Sequence, residues 1–412
     1  MSTATAIDVL PFAALVGEEH ALAARADDTV QGVSPSLVVE PADEAEVSAV
    51  MREASRQRLT VVVRGGGTTL AWGTPPRRCE LLLSTRRLDR LVEHQPGDLI
   101  CVAGAGMTLA ALQAHLGRAQ GHRQRLMLDP PVPPEVATLG GIVATGCSGP
   151  LRTRYGTVRD LLIGVRFVLA DGTVGHAGGK VVKNVAGYDI GKLLTGSLGT
   201  LAVITQVALR LHPAAPDSRV VLLDDSTPEA LAARVQGLAR LPVTPSCVDV
   251  IWPDRTCAVR VDSSAEGAER QVQIIAARVG GRILGEGEAA ALNSSLAQRP
   301  WMGDGVVAGI AAPRSRLAEL IRLAGRHADE VVVRGLIGVA EARLGADPAP
   351  ITALRNGVEQ LGGHLVLHRS PLPLRDLVWP AAAGAAVELM RSVKHALDPQ
   401  GVLAPGRHLG GI

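Results

Sequence analysis

Two glycine-rich stretches, far apart in the chain, constrain this protein more than anything else in its sequence. In Val61-Val62-Val63-Arg64-Gly65-Gly66-Gly67-Thr68-Thr69 an apolar, β-branched run passes straight into residues with small side chains or none. Such a segment reads as a strand that ends in a loop. Glycine tolerates positive φ and close approach, so the loop can crowd backbone N–H groups around an anion. Pro134-Glu135-Val136-Ala137-Thr138-Leu139-Gly140-Gly141-Ile142-Val143-Ala144-Thr145 repeats the chemistry with two threonines and a paired glycine. Together the two loops predict a long ligand with a diphosphate, gripped from both sides.

The familiar nucleotide signatures do not account for them. No G-x-G-x-x-G occurs, so the Rossmann fingerprint is missing. Gly175 to Lys180 and Gly187 to Lys192 each resemble a Walker loop but are one residue short. Both also lack the Ser or Thr after Lys that holds a metal ion. ATP hydrolysis and a Rossmann-type NAD site are therefore disfavoured.

Composition narrows the class further. A chain of 412 residues is too long for one ordinary core and predicts two or three domains. With 42 basic residues against 40 acidic ones, there is no electrostatic case for nucleic acid. Aromatics at 2% leave few stacking platforms for bases. The acidic N-terminus, with Asp8, Glu18 and Glu19 and no basic stretch, argues against a secretory signal. No apolar run reaches the length of a spanning helix. Cys79, Cys101, Cys147, Cys247 and Cys257 show neither C-x-x-C pairing nor metal spacing. Scattered, unpaired thiols fit a reducing cytoplasm and provide no iron–sulfur ligand set. The expected location is cytoplasmic, at most peripheral to the inner face of the membrane.

Hydrophobic periodicity predicts an α+β protein. Residues 41–57 read as a helix capped by Asp43, with Val47, Val50, Met51 and Ala54 on one face. Leu59 to Val63, Leu81 to Ser84, Leu99 to Val102, Gly164 to Leu169 and Leu201 to Leu209 read as strands, and Leu109 to Leu116 as a short helix. His212 to Ser218 has the composition of a linker. Beyond it, helices are expected at 227–238, 265–279, 314–328 and 351–361, and strands at 247–251, 257–261, 306–311, 331–335 and 364–367. These patterns predict one antiparallel sheet with helices on a face. A last helix, about 384–397, stops at Asp398-Pro399-Gln400-Gly401.

Read in order, the motifs resemble a known family. Arg64-Gly65-Gly66-Gly67-Thr68, Ala137 to Gly141, Tyr155-Gly156-x-x-x-Asp160, Lys183 to Asp189, Gly196 to Leu201 and Ala396 to Arg407 are similar to the PCMH-type FAD-binding domain of the vanillyl-alcohol oxidase superfamily. That superfamily includes 2-hydroxy-acid dehydrogenases and glycolate oxidase subunits. The nearest likeness, in length and in Lys183 to Asp189, is to the smaller FAD-binding subunit of glycolate oxidase. The resemblance implies a two-subdomain FAD-binding domain over 1–212, a cap domain over 213–380, and a C-terminal helix and tail, 381–412, returning to the first domain. It also implies that Arg64, Gly65, Gly66, Gly67, Thr68 and Thr69 hold the FAD diphosphate, with Thr138, Gly140 and Gly141 approaching from the other side. Ala144, Thr145 and Ser148 would line the flavin's flank, and Gly199 and Ile204 its edge or ribityl chain.

Departures from the family pattern carry information too. Members with covalent FAD commonly place histidine after the glycine triplet; this chain has Thr68, which implies noncovalent FAD. Catalytic relatives carry H-x-D-G-N-x-H in the cap, whereas the stretch here is Gly362-Gly363-His364-Leu365-Val366-Leu367-His368-Arg369. Its alternation reads as a buried strand with two peripheral histidines. The family's Asn-Pro-Gly is Ala404-Pro405-Gly406 here, so one polar contact to the flavin is expected to be lost. Lys183 and Tyr188, with Lys180, are the only visible candidates for catalysis, with a solvated loop as the other reading. Cys147 reads as a core filler rather than a redox thiol, and the histidines are too dispersed for a metal site.

The resulting expectation is the FAD-binding subunit of a glycolate-type 2-hydroxy-acid dehydrogenase. A second flavoprotein subunit would oxidise the small hydroxy acid, and an iron–sulfur subunit would carry the electrons away. The alternatives are a free-standing FAD-dependent dehydrogenase and a non-catalytic flavin-binding scaffold.

Overall fold

The computed structural model describes residues 7–118, 123–179, 188–381 and 384–412. Three sheets organise them. The first is a four-stranded sheet in the order Ala21–Ala23, Leu37–Val39, Leu81–Ser84, Val61–Arg64. Its last three strands run parallel, and the helix Glu44–Arg56 supplies a crossover between them. That helix begins as expected, because the Asp43 carboxylate accepts from the Glu46 N–H at 2.9 Å. Val47, Val50, Met51 and Ala54 are all buried. They pack with Leu37, Val39, Val61, Leu81 and Leu83 in one core.

A five-stranded antiparallel sheet follows, in the order Leu91–Gln95, Ile100–Gly104, Val203–Arg210, Leu162–Val168, Val174–Gly178. The helices Leu109–Arg118 and Leu139–Thr145 bury Leu112, Leu116, Leu139, Ile142 and Val143 in the core it shares. The C-terminal segment returns to this half of the molecule. Leu403 bridges Val61 in parallel, and the Lys394 ammonium donates to the carbonyls of Thr200 and Leu403 at 2.7 and 2.8 Å. Asp398 accepts from the same lysine and from the Val402 and Leu403 N–H groups, which locks the tail against the first sheet.

The third sheet has eight strands, all antiparallel to their neighbours: Arg282–Ile283, Asp217–Asp224, Thr256–Ser263, Cys247–Trp252, Glu330–Arg334, Val339–Leu344, Val306–Ala311, His364–Arg369. Pro228–Leu238, Ala265–Val279, Leu317–His327 and Pro348–Gln360 cover one face, burying Val248, Val250, Val331, Val333, Ala340, Ala342, Leu365 and Leu367 beneath them. Because strand residues alternate between faces, their neighbours Asp249, Arg334, Glu341 and His368 project from the opposite face. That face carries the polar chemistry.

Several segments differ from expectation: the second glycine stretch, read as a loop, forms the helix Leu139–Thr145, and the helix Glu286–Leu296 was not expected. The region 212–218 is not simply a linker: His212–Pro213 pairs with Gln124–Arg125, and Asp217 already begins a strand. The strand Val339–Leu344 was not expected, since its Ala-Glu-Ala-Arg centre lacks β-branched residues; it is held by partners on both sides. Among the described residues, no helix is long and apolar enough to cross a membrane.

Candidate functional site

The strand Val61–Arg64 delivers Gly65 to Thr69 to one wall of a cleft, and the segment around Thr138 forms the other. Glycine is obligatory where the walls meet. A Cβ on Gly65 would lie 2.1 Å from Thr138 Oγ1, and one on Gly66 would lie 1.8 Å from the Val136 carbonyl oxygen. Thr138 caps the helix Leu139–Thr145 by accepting from the Gly141 N–H at 3.3 Å. A third close approach sits behind this wall, where a Cβ on Gly140 would meet the Ala105 Cβ at 2.7 Å. Leu198 and Gly199, both at positive φ, and Ile204 close the far end.

The cleft gathers nearly all the residues expected from the sequence. Arg64, Gly65, Gly66, Gly67, Thr68, Thr69, Thr138, Gly140, Gly141, Ala144, Thr145, Gly199 and Ile204 line it. Ser148 does not; it is buried beyond the helix end at 9% exposure. Arg64 contributes backbone more than charge, because its guanidinium is paired with Asp28 at 2.6 Å. Burial alone would raise the Asp28 carboxyl, but the Arg25 N–H and the Arg64 guanidinium outweigh it and hold the group below its ordinary value.

Val62, Val63, Leu70, Thr85, Leu198, Ala202 and Arg407 also line the cleft and were not singled out from the sequence. Arg407 matters most among them. It lies in the Ala404-to-Arg407 motif, whose position beside Val61 appears only once the tail has folded back. Its Nη2 donates to the carbonyls of Leu70 and Trp72 at 2.7 and 2.6 Å. Nε and Nη1 are buried without a partner. Burial lowers the guanidinium to about 10, so it stays cationic at neutral pH. A narrow, glycine-walled cleft of small residues with a buried cation fits a dianionic linker and a flat ring.

A second polar cluster sits between the eight-stranded sheet and the first half of the chain. Register places Asp249 opposite Arg334. The guanidinium of Arg334 pairs with Asp249 at 3.0 Å and with Glu341 at 3.1 Å, Arg334 and Asp249 having side chains at most 2% exposed. Burial raises the Glu341 carboxyl, with the charges of Arg334 and Arg152 working against it. Asp129 accepts from the Leu151 N–H at 3.1 and 3.2 Å, and burial pushes its carboxyl up to about 7.

His368 is not peripheral, contrary to the sequence reading. Its ring stacks on Trp72 at 4.2 Å, and Trp72 stacks on Trp301 at 5.3 Å. A Cβ on Gly309, across the strand pair, would lie 2.0 Å from His368 Nε2, so the glycine makes room for the ring. Burial, and then the Arg152 charge, lower His368 to about 4, leaving a neutral imidazole. His364 is exposed, as a peripheral residue should be.

The catalytic candidates fare differently. Tyr188 is 93% exposed, which takes it away from any enclosed site. Lys183 and Lys180 lie outside the described residues. Cys147 is buried and its thiol is pushed upward by desolvation, as expected of a core filler. Among the described residues no group of three or more His, Cys, Asp or Glu could hold a metal ion.

Comparison with known proteins bears directly on this cleft. Residues 35–178 match the family described as FAD binding domain. The chain is 37% identical over 221 residues to D-lactate dehydrogenase of Archaeoglobus fulgidus, covering 52% of this chain and 48% of that protein. It is 31% identical over 232 residues to glycolate oxidase subunit GlcE of Escherichia coli, covering 56% and 63% respectively. The chain thus spans about half to two thirds of the length of these relatives. Its fold matches p-cresol methylhydroxylase with a TM-score of 0.75 at 17% identity, covering 97% of this chain and 95% of the other.

Proposed function

We propose that this protein, an α+β chain that carries an FAD binding domain on a PCMH-type fold, is an FAD-dependent oxidoreductase acting on a small 2-hydroxy acid. Within that class it serves as the flavoprotein subunit of a glycolate-type dehydrogenase complex. The observation that carries this reading is the contrast between its two polar regions. The glycine-walled cleft gathers the residues expected to hold the cofactor, Ser148 excepted, while the cap-side cluster is occupied by its own side chains: Trp72, His368 and Trp301 stacked, Arg334 committed to Asp249 and Glu341.

Bound FAD would supply the two-electron acceptor. The N–H groups of Gly65 to Thr69 would hold its diphosphate from one side, with Thr138, Gly140 and Gly141 on the other. Ala144 and Thr145 would flank the ring, and Gly199 and Ile204 would meet its edge or the ribityl chain. Thr68 supplies no nucleophile for covalent attachment, so the cofactor would be held noncovalently. Since burial pulls His368 down to about 4 and its ring stacks against Trp72 and Trp301, it is a poor proton acceptor for substrate oxidation. In this reading a partner flavoprotein oxidises the hydroxy acid, and an iron–sulfur subunit takes the electrons onward.

Purification of the chain alone tests the reading. About one FAD per chain, released into the supernatant by acid precipitation, is expected, with little glycolate-dependent dye reduction until a partner is co-expressed. Flavin remaining in the acid pellet overturns noncovalent binding. Full activity of a homogeneous monomer turns the assignment to a free-standing dehydrogenase.

A further inference from the structure

Arg407 is 3% exposed, and no carboxylate among the described residues pairs with it. A buried cation without a counter-charge is costly unless something else supplies the acceptor. Only one of its three nitrogens is used, Nη2 on the carbonyls of Leu70 and Trp72. Nε and Nη1 have no partner, and the residue lines the same cleft as Gly65 to Thr69 and Thr138.

Its position is fixed by backbone, not by chance of rotamer. The Val402–Ala404 segment brackets Val61, with Val61 N–H donating to Val402 and Ala404 N–H donating to Val61, each at 2.8 Å. Thr74 N–H donates to the Arg407 carbonyl at 3.1 Å, and Arg77 N–H to that of Pro405 at 2.8 Å. A Cβ on Gly73 would lie 2.6 Å from the Arg407 carbonyl oxygen, so the loop is shaped around this residue. The tail therefore carries a preorganised cation to the end of the strand that feeds the glycine loop.

We infer that Arg407 is a cofactor-binding residue, whose free Nε–H and Nη1–H groups donate to an anionic oxygen of the bound dinucleotide. The acceptor chemistry is shared by two parts of FAD: the diphosphate oxygens, and the N1–C2 carbonyl edge of the flavin, which becomes anionic on reduction. This inference rests on FAD occupying the cleft. It goes beyond that reading by giving the C-terminal tail a direct part in holding the cofactor.

The experiment titrates FAD into the deflavinated full-length wild type, Arg407→Gln and Arg407→Lys, and measures the two-electron potential of each loaded protein. Wild type that takes up no FAD defeats the cofactor reading itself, and this inference with it. If the acceptor is the diphosphate, Gln weakens FAD by about 10- to 100-fold at unchanged potential, Lys recovers part of the loss, and added guanidinium ion restores binding to the Gln variant. If it is the flavin edge, the potential of the Gln variant falls by about 30 mV for each tenfold lost in preference for the reduced form. A Gln variant with FAD affinity within twofold of wild type and unchanged potential overturns the inference. Should the variants fail to fold, a crystal structure of the FAD-loaded wild type decides. An FAD oxygen within hydrogen-bond distance of Nε or Nη1 supports the assignment, and only water or protein at both nitrogens refutes it.

Discussion

Replacing Gly66 by alanine should disable the cofactor cleft by one methyl group. The added Cβ would lie 1.8 Å from the Val136 carbonyl oxygen and 2.7 Å from its carbon. Ordinary contacts between such atoms exceed about 3 Å, so the walls must part by more than an ångström. Val136 cannot swing aside freely, because the N–H groups of Val136 and Ala137 both donate to Pro133, at 3.1 and 2.9 Å. Overpacking against a held backbone costs about 1–3 kcal/mol, and the rigid turn puts this case near the upper end. Since the ligand needs both walls, most of that cost falls on binding. A loss of about 3 kcal/mol is roughly a hundredfold in affinity. The assay is FAD titration into deflavinated protein, with Gly97→Ala as the control, because a Cβ at Gly97 meets nothing within 4 Å. Gly66→Asp adds like-charge repulsion to the same clash, so only its excess over alanine reports electrostatics. Gly66→Ala protein that binds FAD within threefold of wild type would refute the claim that the walls touch at this glycine.

Two further outcomes follow from other parts of the molecule. The Asp129 carboxyl is raised in the folded state from 3.8 to about 7, so it contributes stability that is full below about pH 4 and is lost as pH rises through 7. Asp129→Asn should therefore flatten the fall in denaturant resistance between pH 5 and 8, by at most about 3 kcal/mol; identical pH profiles for the two proteins would remove Asp129 as the cause. Tyr188→Phe should leave flavin content and turnover within twofold of wild type, since the ring is 93% exposed; a tenfold or larger loss of turnover with flavin intact would return Tyr188 to the reacting centre.

Much of the architecture was legible because it rests on local rules. The helix Glu44–Arg56 announces itself by an Asp cap and a 3.6-residue apolar stripe, and the strand Val61–Arg64 by a β-branched run ending at glycine. The glycine stretches exposed the cleft for the same reason: only glycine fits where the walls touch, so the constraint is written at the position itself. Segments whose form depends on partners were less legible. Asp217–Asp224 starts inside a proline-rich, linker-like stretch and becomes a strand by pairing with Thr256–Ser263 and Arg282–Ile283.

What tertiary structure alone decided is which distant groups meet. Alternation predicts that Asp249, Arg334, Glu341 and His368 avoid the apolar face of their strands, but says nothing of what the other face meets. Sheet order and register brought Arg334 onto Asp249 and Glu341, and packing against the first half of the chain stacked His368 on Trp72. Ser148, one helical turn past the cleft-lining Thr145 in sequence, turned instead into the interior. Arg407 entered the cleft only because the tail returns more than three hundred residues later to bracket Val61. Propensity and loop chemistry act over a few residues and can be read from the chain directly. Burial of a charge beside a partner depends on contacts between residues far apart in sequence, and those exist only after the chain has folded.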